Sequence, residues 1–117
     1  LVIRFRNQHG LTTQVHQRLR GSHYSQWPTL EAFAREVQMS ASTLRRRLER
    51  EGGSYQEIKD EVRRGVAVEL LRRSAASISE IAELTGFQEP SAFHRAFKKW
   101  TGESPGRYRA RFQPAPA

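Results

Sequence analysis

Two segments of this 117-residue chain repeat one pattern. LEAFAREVQMSASTLRRRLEREGG, starting at Leu30, matches ISEIAELTGFQEPSAFHRAFKKWTG, starting at Ile78, at an offset of 48 residues that becomes 49 after one inserted residue near Pro90. Each copy predicts a short helix, a tight turn and a second helix rich in Arg and Lys. The repeat therefore restricts the fold to one that holds two helix-turn-helix units.

Helical patterns also cover most of the sequence outside the repeat, and only LVIRF near the start alternates as a strand would. We predict an all-α fold, with a first helix over residues 11–20, a long helix from Ser54 to about Arg73 that links the two units, and a last short helix from Ser104-Pro105. Gly65 in the long helix would permit close packing. The predicted inward positions of the long helix are Tyr55, Ile58, Val62, Val66 or Ala67, Leu70 and Leu71. The predicted organisation is residues 1–23 for an N-terminal linker and first helix, 24–53 for the first helix-turn-helix, 54–74 for the linker helix, 75–102 for the second helix-turn-helix, and 103–117 for a C-terminal helix and frayed tail.

Local signals place the helix ends. Ser54 with Glu57, and Ser77 with Glu80, have the spacing of capping boxes, in which the hydroxyl and the carboxylate each bind a free backbone N–H. Gly52-Gly53 ends the helix before the linker, and Gly86 supplies the turn of the second unit. The equivalent turn position of the first unit is Gln38, which predicts mild backbone strain there.

Composition restricts the classes of function that this chain could have. Lys and Arg outnumber Asp and Glu by 20 to 12, which gives a formal charge of +8 and favours polyanionic partners. The chain has no cysteine, which excludes disulfides and thiolate chemistry and suits a reducing cytoplasm. No apolar run is long enough to cross a membrane, and no motif of catalysis, of cofactor binding or of metal binding is present. We therefore expect neither an enzyme nor a cofactor.

The second helix of each repeat separates its residues into an apolar seam and a polar stripe. At 100° per residue, Arg45, Arg46 and Glu49 fall within about 60° of Ser42, and Leu44 and Leu48 face the other way. We call Ser42, Arg45, Arg46 and Glu49 the first stripe, and Ser91, His94, Arg95 and Lys98, opposite a seam of Phe93, Phe97 and Trp100, the second stripe. By hydrogen-bonding capacity, the candidates for base reading are Arg45, Arg46, Ser91, His94 and Arg95. The candidates for phosphate binding are Arg47, Arg50, Lys98 and Lys99.

Other interpretations of the stripes remain open at this stage. A basic stripe on an amphipathic helix is often only a solvated face. The basic surface could also serve non-specific binding to RNA or to a membrane surface, or the docking of acidic proteins. A duplicated stripe at matching helical angles favours duplex DNA over a protein partner, which would not require the repetition.

Several motifs together resemble the C-terminal DNA-binding domain of the AraC/XylS family of bacterial transcription regulators. The resemblance covers about residues 29–109 and is most specific in IAELTGF followed by SAFHRAFKKWTGESPGRYR. It implies seven helices, two helix-turn-helix units joined by the long helix, and sequence-specific control of transcription, usually activation. A linker helix of about 20 residues spans about 30 Å, close to the roughly 34 Å repeat of B-DNA, so the two units could enter successive major grooves.

The resemblance also assigns roles and partners. It matches Ser42, Arg45 and Arg46 to base-contacting positions of the first unit, and the corresponding positions of the second unit are Pro90, Ser91, His94 and Arg95. Because Pro90 has no polar side chain and no N–H to donate, the second helix would read fewer base edges. Expected partners are double-stranded DNA, RNA polymerase and an N-terminal effector or dimerisation domain, with no membrane, at the nucleoid of a bacterial cytoplasm. The start at Leu1 instead of Met leads us to expect a fragment of a longer protein.

Overall fold

The computed structural model describes residues 10–112, and within that range it contains seven α-helices and no strand, which confirms the all-α prediction. The alternating stretch LVIRF lies outside the described residues. A short 3-10 turn at Tyr24–Gln26 follows the first helix. The helices are α1 (Leu11–Arg20), α2 (Leu30–Glu36), α3 (Ala41–Arg50), α4 (Tyr55–Arg73), α5 (Ile78–Leu84), α6 (Pro90–Thr101) and α7 (Pro105–Ala110).

Polar side chains fix the helix starts where the sequence predicts them. Ser77 and Glu80 form a complete capping box, in which the Ser77 N–H donates to the Glu80 carboxylate at 2.7 Å. The predicted capping box at Ser54 and Glu57 is half formed within the described residues. The Glu57 N–H donates to the Ser54 hydroxyl at 3.1 Å, but the return bond from the Glu57 carboxylate is not seen there. The hydroxyls that cap the starts of α2, α3 and α7 belong to Thr29, Ser40 and Ser104. Serine and threonine hydroxyls therefore satisfy backbone donors at five helix starts.

The chain divides into two compact units, with the boundary inside α4 between Val62 and Arg63. Unit 1 contains α1, α2, α3 and the first part of α4. The Tyr55 hydroxyl donates to the Pro28 carbonyl in this unit, and burial raises the pKa of Tyr55 to about 12. The buried core of unit 1 consists of Leu11, Val15, Leu19, Phe33, Ala34, Leu44, Leu48, Tyr55, Ile58 and Val62.

Polar contacts also attach α1 to the rest of unit 1. The Arg18 guanidinium donates to both carboxylate oxygens of Glu36, at 3.0 and 3.3 Å. The Trp27 indole N–H donates to the carbonyls of Leu19 and Ser22, at 2.8 and 3.1 Å. The Trp27 bonds satisfy carbonyls at and just after the end of α1, and the Arg18–Glu36 pair joins α1 to α2.

Unit 2 contains the rest of α4 with α5, α6 and α7, and its core is more aromatic than that of unit 1. Phe97 packs against three rings, with centroid distances of 5.8 Å to Phe93, 6.4 Å to Trp100 and 5.3 Å to Tyr108. The Arg109 guanidinium donates to the carbonyls of Leu70, Leu71 and Ser74, which caps the C-terminal end of α4. The buried core of unit 2 consists of Ala67, Leu71, Ile81, Ala82, Phe93 and Phe97.

The helix-turn-helix turns of the two units have matching geometry. In the first, the Gln38 N–H donates to the Arg35 carbonyl and the Met39 N–H to the Ala34 carbonyl, and in the second Gly86 and Phe87 make the same two bonds three and five residues back. Gly86 has φ 91°, and Gln38 has φ 58°, in the left-handed region that favours glycine. The predicted strain at Gln38 is therefore confirmed.

Two details of α4 refine the sequence analysis. Of the alternatives Val66 and Ala67, Ala67 is the buried residue, and Val66 is 40% exposed. A Cβ atom built at Gly65 meets no heavy atom within 4 Å outside its own surroundings in the helix. The expectation that Gly65 permits close packing is therefore wrong, because nothing packs closely against it.

Candidate nucleic-acid interface

The first stripe lies on α3, the second helix of the first helix-turn-helix unit. Ser42, Arg45, Arg46 and Glu49 are all exposed, and so are Arg47 and Arg50. The helix is held from beneath by Leu44 and Leu48, which are fully buried in the unit 1 core. Ser40 caps its start, and Gly52, with φ 97°, ends it. Packing and caps together fix which face of α3 points outward.

The basic side chains of α3 are available to a ligand. Within the described residues, Arg45, Arg46 and Arg50 make no hydrogen bond or ion pair with another side chain. Arg47 lies near Glu51, and its charge helps to lower the pKa of that carboxyl. Free guanidinium groups on a helix face can donate paired hydrogen bonds to a planar acceptor pair, or bind phosphate oxygens.

The second stripe lies on α6 and has the same construction. Ser91, His94, Arg95 and Lys98 are exposed, as are Pro90 and Lys99 beside them. Phe93 and Phe97 are fully buried, and Trp100 packs on the same core, which confirms the predicted seam. Pro90 is the first residue of α6, and Gly102, with φ 88°, follows its last turn. Each unit thus presents one firmly held helix with an exposed polar face.

The acidic side chains of the short preceding helices serve local contacts. Glu36 on α2 binds Arg18, and Glu80 on α5 completes the capping box. The N–H of Ser77 lowers the pKa of Glu80, which keeps this carboxylate ionised. Glu31 and Glu83 are exposed on the same two helices. Apart from Glu49 on α3, the acids of the two helix-turn-helix pairs thus lie off the stripes.

One important contact of unit 1 could not be predicted from a local sequence pattern. Gly10 precedes α1 and has no side chain to cap it, and the Glu51 carboxylate accepts from the Leu11 and Thr12 N–H groups instead, at 3.1 and 2.8 Å. Partial burial opposes ionisation of Glu51, but these bonds and the charge of Arg47 together outweigh it, and its pKa lies below the usual value. The missing cap before Leu11 was the available signal that a distant acceptor was needed.

Residues 10–112 contain neither a metal-binding cluster nor a membrane-spanning helix. No group of three or more His, Asp or Glu side chains in this range could hold a metal ion. None of the helices described is long and apolar enough to cross a membrane.

Comparison with known proteins identifies the class to which this fold and these two helices belong. A family profile described as a helix-turn-helix domain matches residues 33–111. The chain is 43% identical over 102 residues to the ornithine utilization regulator of Pseudomonas aeruginosa, covering 87% of this chain and 30% of that protein. The curated relatives it matches are thus longer, and the chain spans about a third of their length.

Solved structures of similar fold also belong to DNA-binding regulators. The fold is similar to that of a DNA-binding transcriptional dual regulator from Escherichia coli K-12, with a TM-score of 0.79, 30% identity, and coverage of 86% of this chain and 89% of that one. It is also similar to the DNA-binding domain of AdpA in complex with a target DNA, with a TM-score of 0.67, 29% identity, and coverage of 86% and 91%. The chain belongs to the helix-turn-helix family of AraC-type transcription regulators and is a DNA-binding domain of that family.

Proposed function

We propose that this domain recognises a specific DNA duplex by placing α3 and α6 in two successive segments of the major groove. The observation that supports this most strongly is the pair of exposed stripes, each on the second helix of a helix-turn-helix unit and each held by a buried apolar seam. A recognition helix presents its outward side chains to base edges in this type of complex. The AdpA domain, solved with its target DNA, has a similar fold.

Base reading follows from the hydrogen-bonding groups of the stripes. Arg45, Arg46 and Arg95 can each donate two parallel bonds to O6 and N7 of guanine, and the Ser and His side chains can bind base edges singly. Pro90 can add only apolar contact, for example with a thymine methyl group. The proposed base-reading residues are Ser42, Arg45, Arg46, Pro90, Ser91, His94 and Arg95.

Phosphate binding falls to the basic residues beside or beyond the stripe centres. Arg47, Arg50, Lys98 and Lys99 are exposed near the C-terminal ends of α3 and α6, where their long side chains reach outward. Contacts of this kind position a protein on the duplex and carry most of the salt dependence of its affinity.

The wider role of the protein is also a proposal. DNA recognition of this type would serve regulation at promoters, with activation as the direction implied by the family resemblance and RNA polymerase as the partner that activation requires. An N-terminal effector or dimerisation domain would belong to the same protein, which would act at the nucleoid in the cytoplasm. A binding site is first selected from random duplex DNA with this chain. Transcription in vitro from a promoter carrying the selected site, with and without the protein, then tests whether the protein activates or represses.

A competition titration tests the proposed binding. The selected duplex and random duplex DNA are titrated against the chain between about 50 and 200 mM salt, and we expect a preference of about 10³-fold or more. With five to eight phosphate contacts, the slope of log K against log salt should lie between about −4 and −7. Equal affinity for both duplexes would instead support a non-specific basic surface for RNA or membranes, and a slope near −1 would reject duplex binding.

A further inference from the structure

Unit 1 contains a cavity that no residue of the first stripe lines. It has a volume of about 330 Å³ and lies between α1, the turn after α3 and the start of α4. Its walls include Thr12, His16 and Arg20 from α1, and Glu57, Ile58 and Glu61 from α4. Ligand sites in proteins occupy about 300–1,000 Å³, so this cavity suits a metabolite of amino-acid size.

The charged groups around the cavity differ in how far they are satisfied. The Glu51 carboxylate already accepts the N–H groups that start α1, and the Glu61 carboxylate lies 3.3 Å from His16. Within residues 10–112, by contrast, neither the Glu57 carboxylate nor the Arg20 guanidinium makes a hydrogen bond or ion pair with another side chain. The cavity therefore offers one free anion on the α4 wall and one free cation on the α1 wall.

The separation of these two charges restricts the ligand. Arg20 and Glu57 line the same cavity but do not pair with each other, so a ligand that satisfies both must carry its own charges apart. Ile58, which is 2% exposed, contributes the apolar part of the cavity wall. A lone organic cation is not attracted by the chain as a whole, because its formal charge is +8, and simple anions would distribute over the basic stripes as well.

We propose that this cavity binds a short linear molecule with an ammonium group at one end and a carboxylate at the other. The ammonium contacts Glu57, the carboxylate contacts Arg20, and the methylene chain between them packs on Ile58. Charge-assisted hydrogen bonds at both ends make recognition depend on both groups. Such a ligand joins α1 to α4 and stabilises unit 1, which holds α3.

A titration of the whole ¹⁵N-labelled chain with 5-aminopentanoate tests the proposal, with amide shifts as the readout. We expect saturable shifts in α1, in Gly52 and Gly53, and in the first turns of α4, with a dissociation constant of about 1 mM or lower. Pentylamine and pentanoate each lack one charged end and should bind at least about tenfold more weakly.

Matched variants identify the two anchors. Glu57→Gln should weaken the binding of 5-aminopentanoate at least about tenfold and leave the binding of pentanoate unchanged. Arg20→Gln should weaken the binding of 5-aminopentanoate by a similar factor and leave the binding of pentylamine unchanged. Glu83→Gln, which removes an exposed acid of α5 in unit 2, should change nothing. Arg46→Ala should keep ligand binding whatever it does to DNA binding, so failure of this proposal is distinguishable from failure of DNA recognition. The absence of saturable shifts, equal binding of pentanoate, shifts confined to the stripes, or full binding by Glu57→Gln would each overturn the proposal.

Discussion

The turn of the first helix-turn-helix unit contains a correctable source of strain. Gln38 occupies a left-handed position with φ 58°, and the matching position of the second unit is Gly86, with φ 91°. A left-handed conformation costs a residue with a side chain about 1–2 kcal/mol, and glycine avoids this cost. Glycine also makes the unfolded chain more flexible, which offsets about 0.5–1 kcal/mol of the gain. Gln38→Gly should therefore raise the free energy of unfolding of unit 1 by about 0.5–1 kcal/mol.

The reverse change supplies the matched control. Gly86→Gln forces a side chain into the same position of unit 2 and, with the same two terms reversed, should lower its stability by about 0.5–1 kcal/mol. Gln38→Ala removes the glutamine side chain but keeps the unfavourable φ, so it should change stability by less than about 0.5 kcal/mol. Because the chain divides into two compact units, native-state hydrogen exchange should be read on the amides of α2 and α5, not only from a single melting curve. If Gln38→Gly and Gln38→Ala stabilise equally, the side chain and not the backbone is the source of strain, and the reasoning fails.

Three further substitutions test local claims by chemical denaturation. Gly65→Ala should raise the free energy of unfolding by about 0.5–1 kcal/mol, because a Cβ there meets nothing within 4 Å, and a loss would reveal a close neighbour. Ser77→Ala removes the hydroxyl of the capping box on α5 and should lower it by about 1 kcal/mol, whereas no change would show that the cap is dispensable. Glu51→Gln weakens the acceptor at the start of α1 and should lower stability at pH 7 by about 1–2 kcal/mol. Since the pKa of Glu51 is depressed, its contribution to stability is fully present above pH 4.5 and is lost as the pH falls through the folded-state pKa. A difference in the free energy of unfolding between wild type and variant that stays constant down to low pH would contradict the assignment.

Features with a local cause could be predicted from the sequence. The bounds of α1, α5 and α6 follow from periodicity, capping residues and Pro90, all of which act within one or two turns. The left-handed position at Gln38 follows from its alignment with Gly86, because a repeated turn must repeat its dihedral angles. The orientation of both stripes follows from the 3.6-residue period once the apolar seam is assigned to the core.

Features with a distant cause could not be predicted. The Glu51 carboxylate caps a helix that starts 40 residues earlier, and Arg109 binds carbonyls 35 to 39 residues away. The choice of Ala67 over Val66 as the buried residue depends on what packs against α4, which periodicity leaves open. The division of the stripes into base-reading and phosphate-binding residues depends on how each helix enters the groove, and it stays a prediction.

Selection of a binding site from random duplex DNA, followed by footprinting of substituted chains, tests the central claim most directly. We expect a site with two half-sites about 10–10.5 base pairs apart, one for each recognition helix. Arg46→Ala should relax base preference and protection in one half-site only, at a cost of about 1–3 kcal/mol, and Arg95→Ala should do the same in the other half-site. Arg50→Ala should weaken all sequences alike. A single undivided site, or equal losses on selected and random DNA for Arg46→Ala and Arg95→Ala, would contradict recognition by two helices.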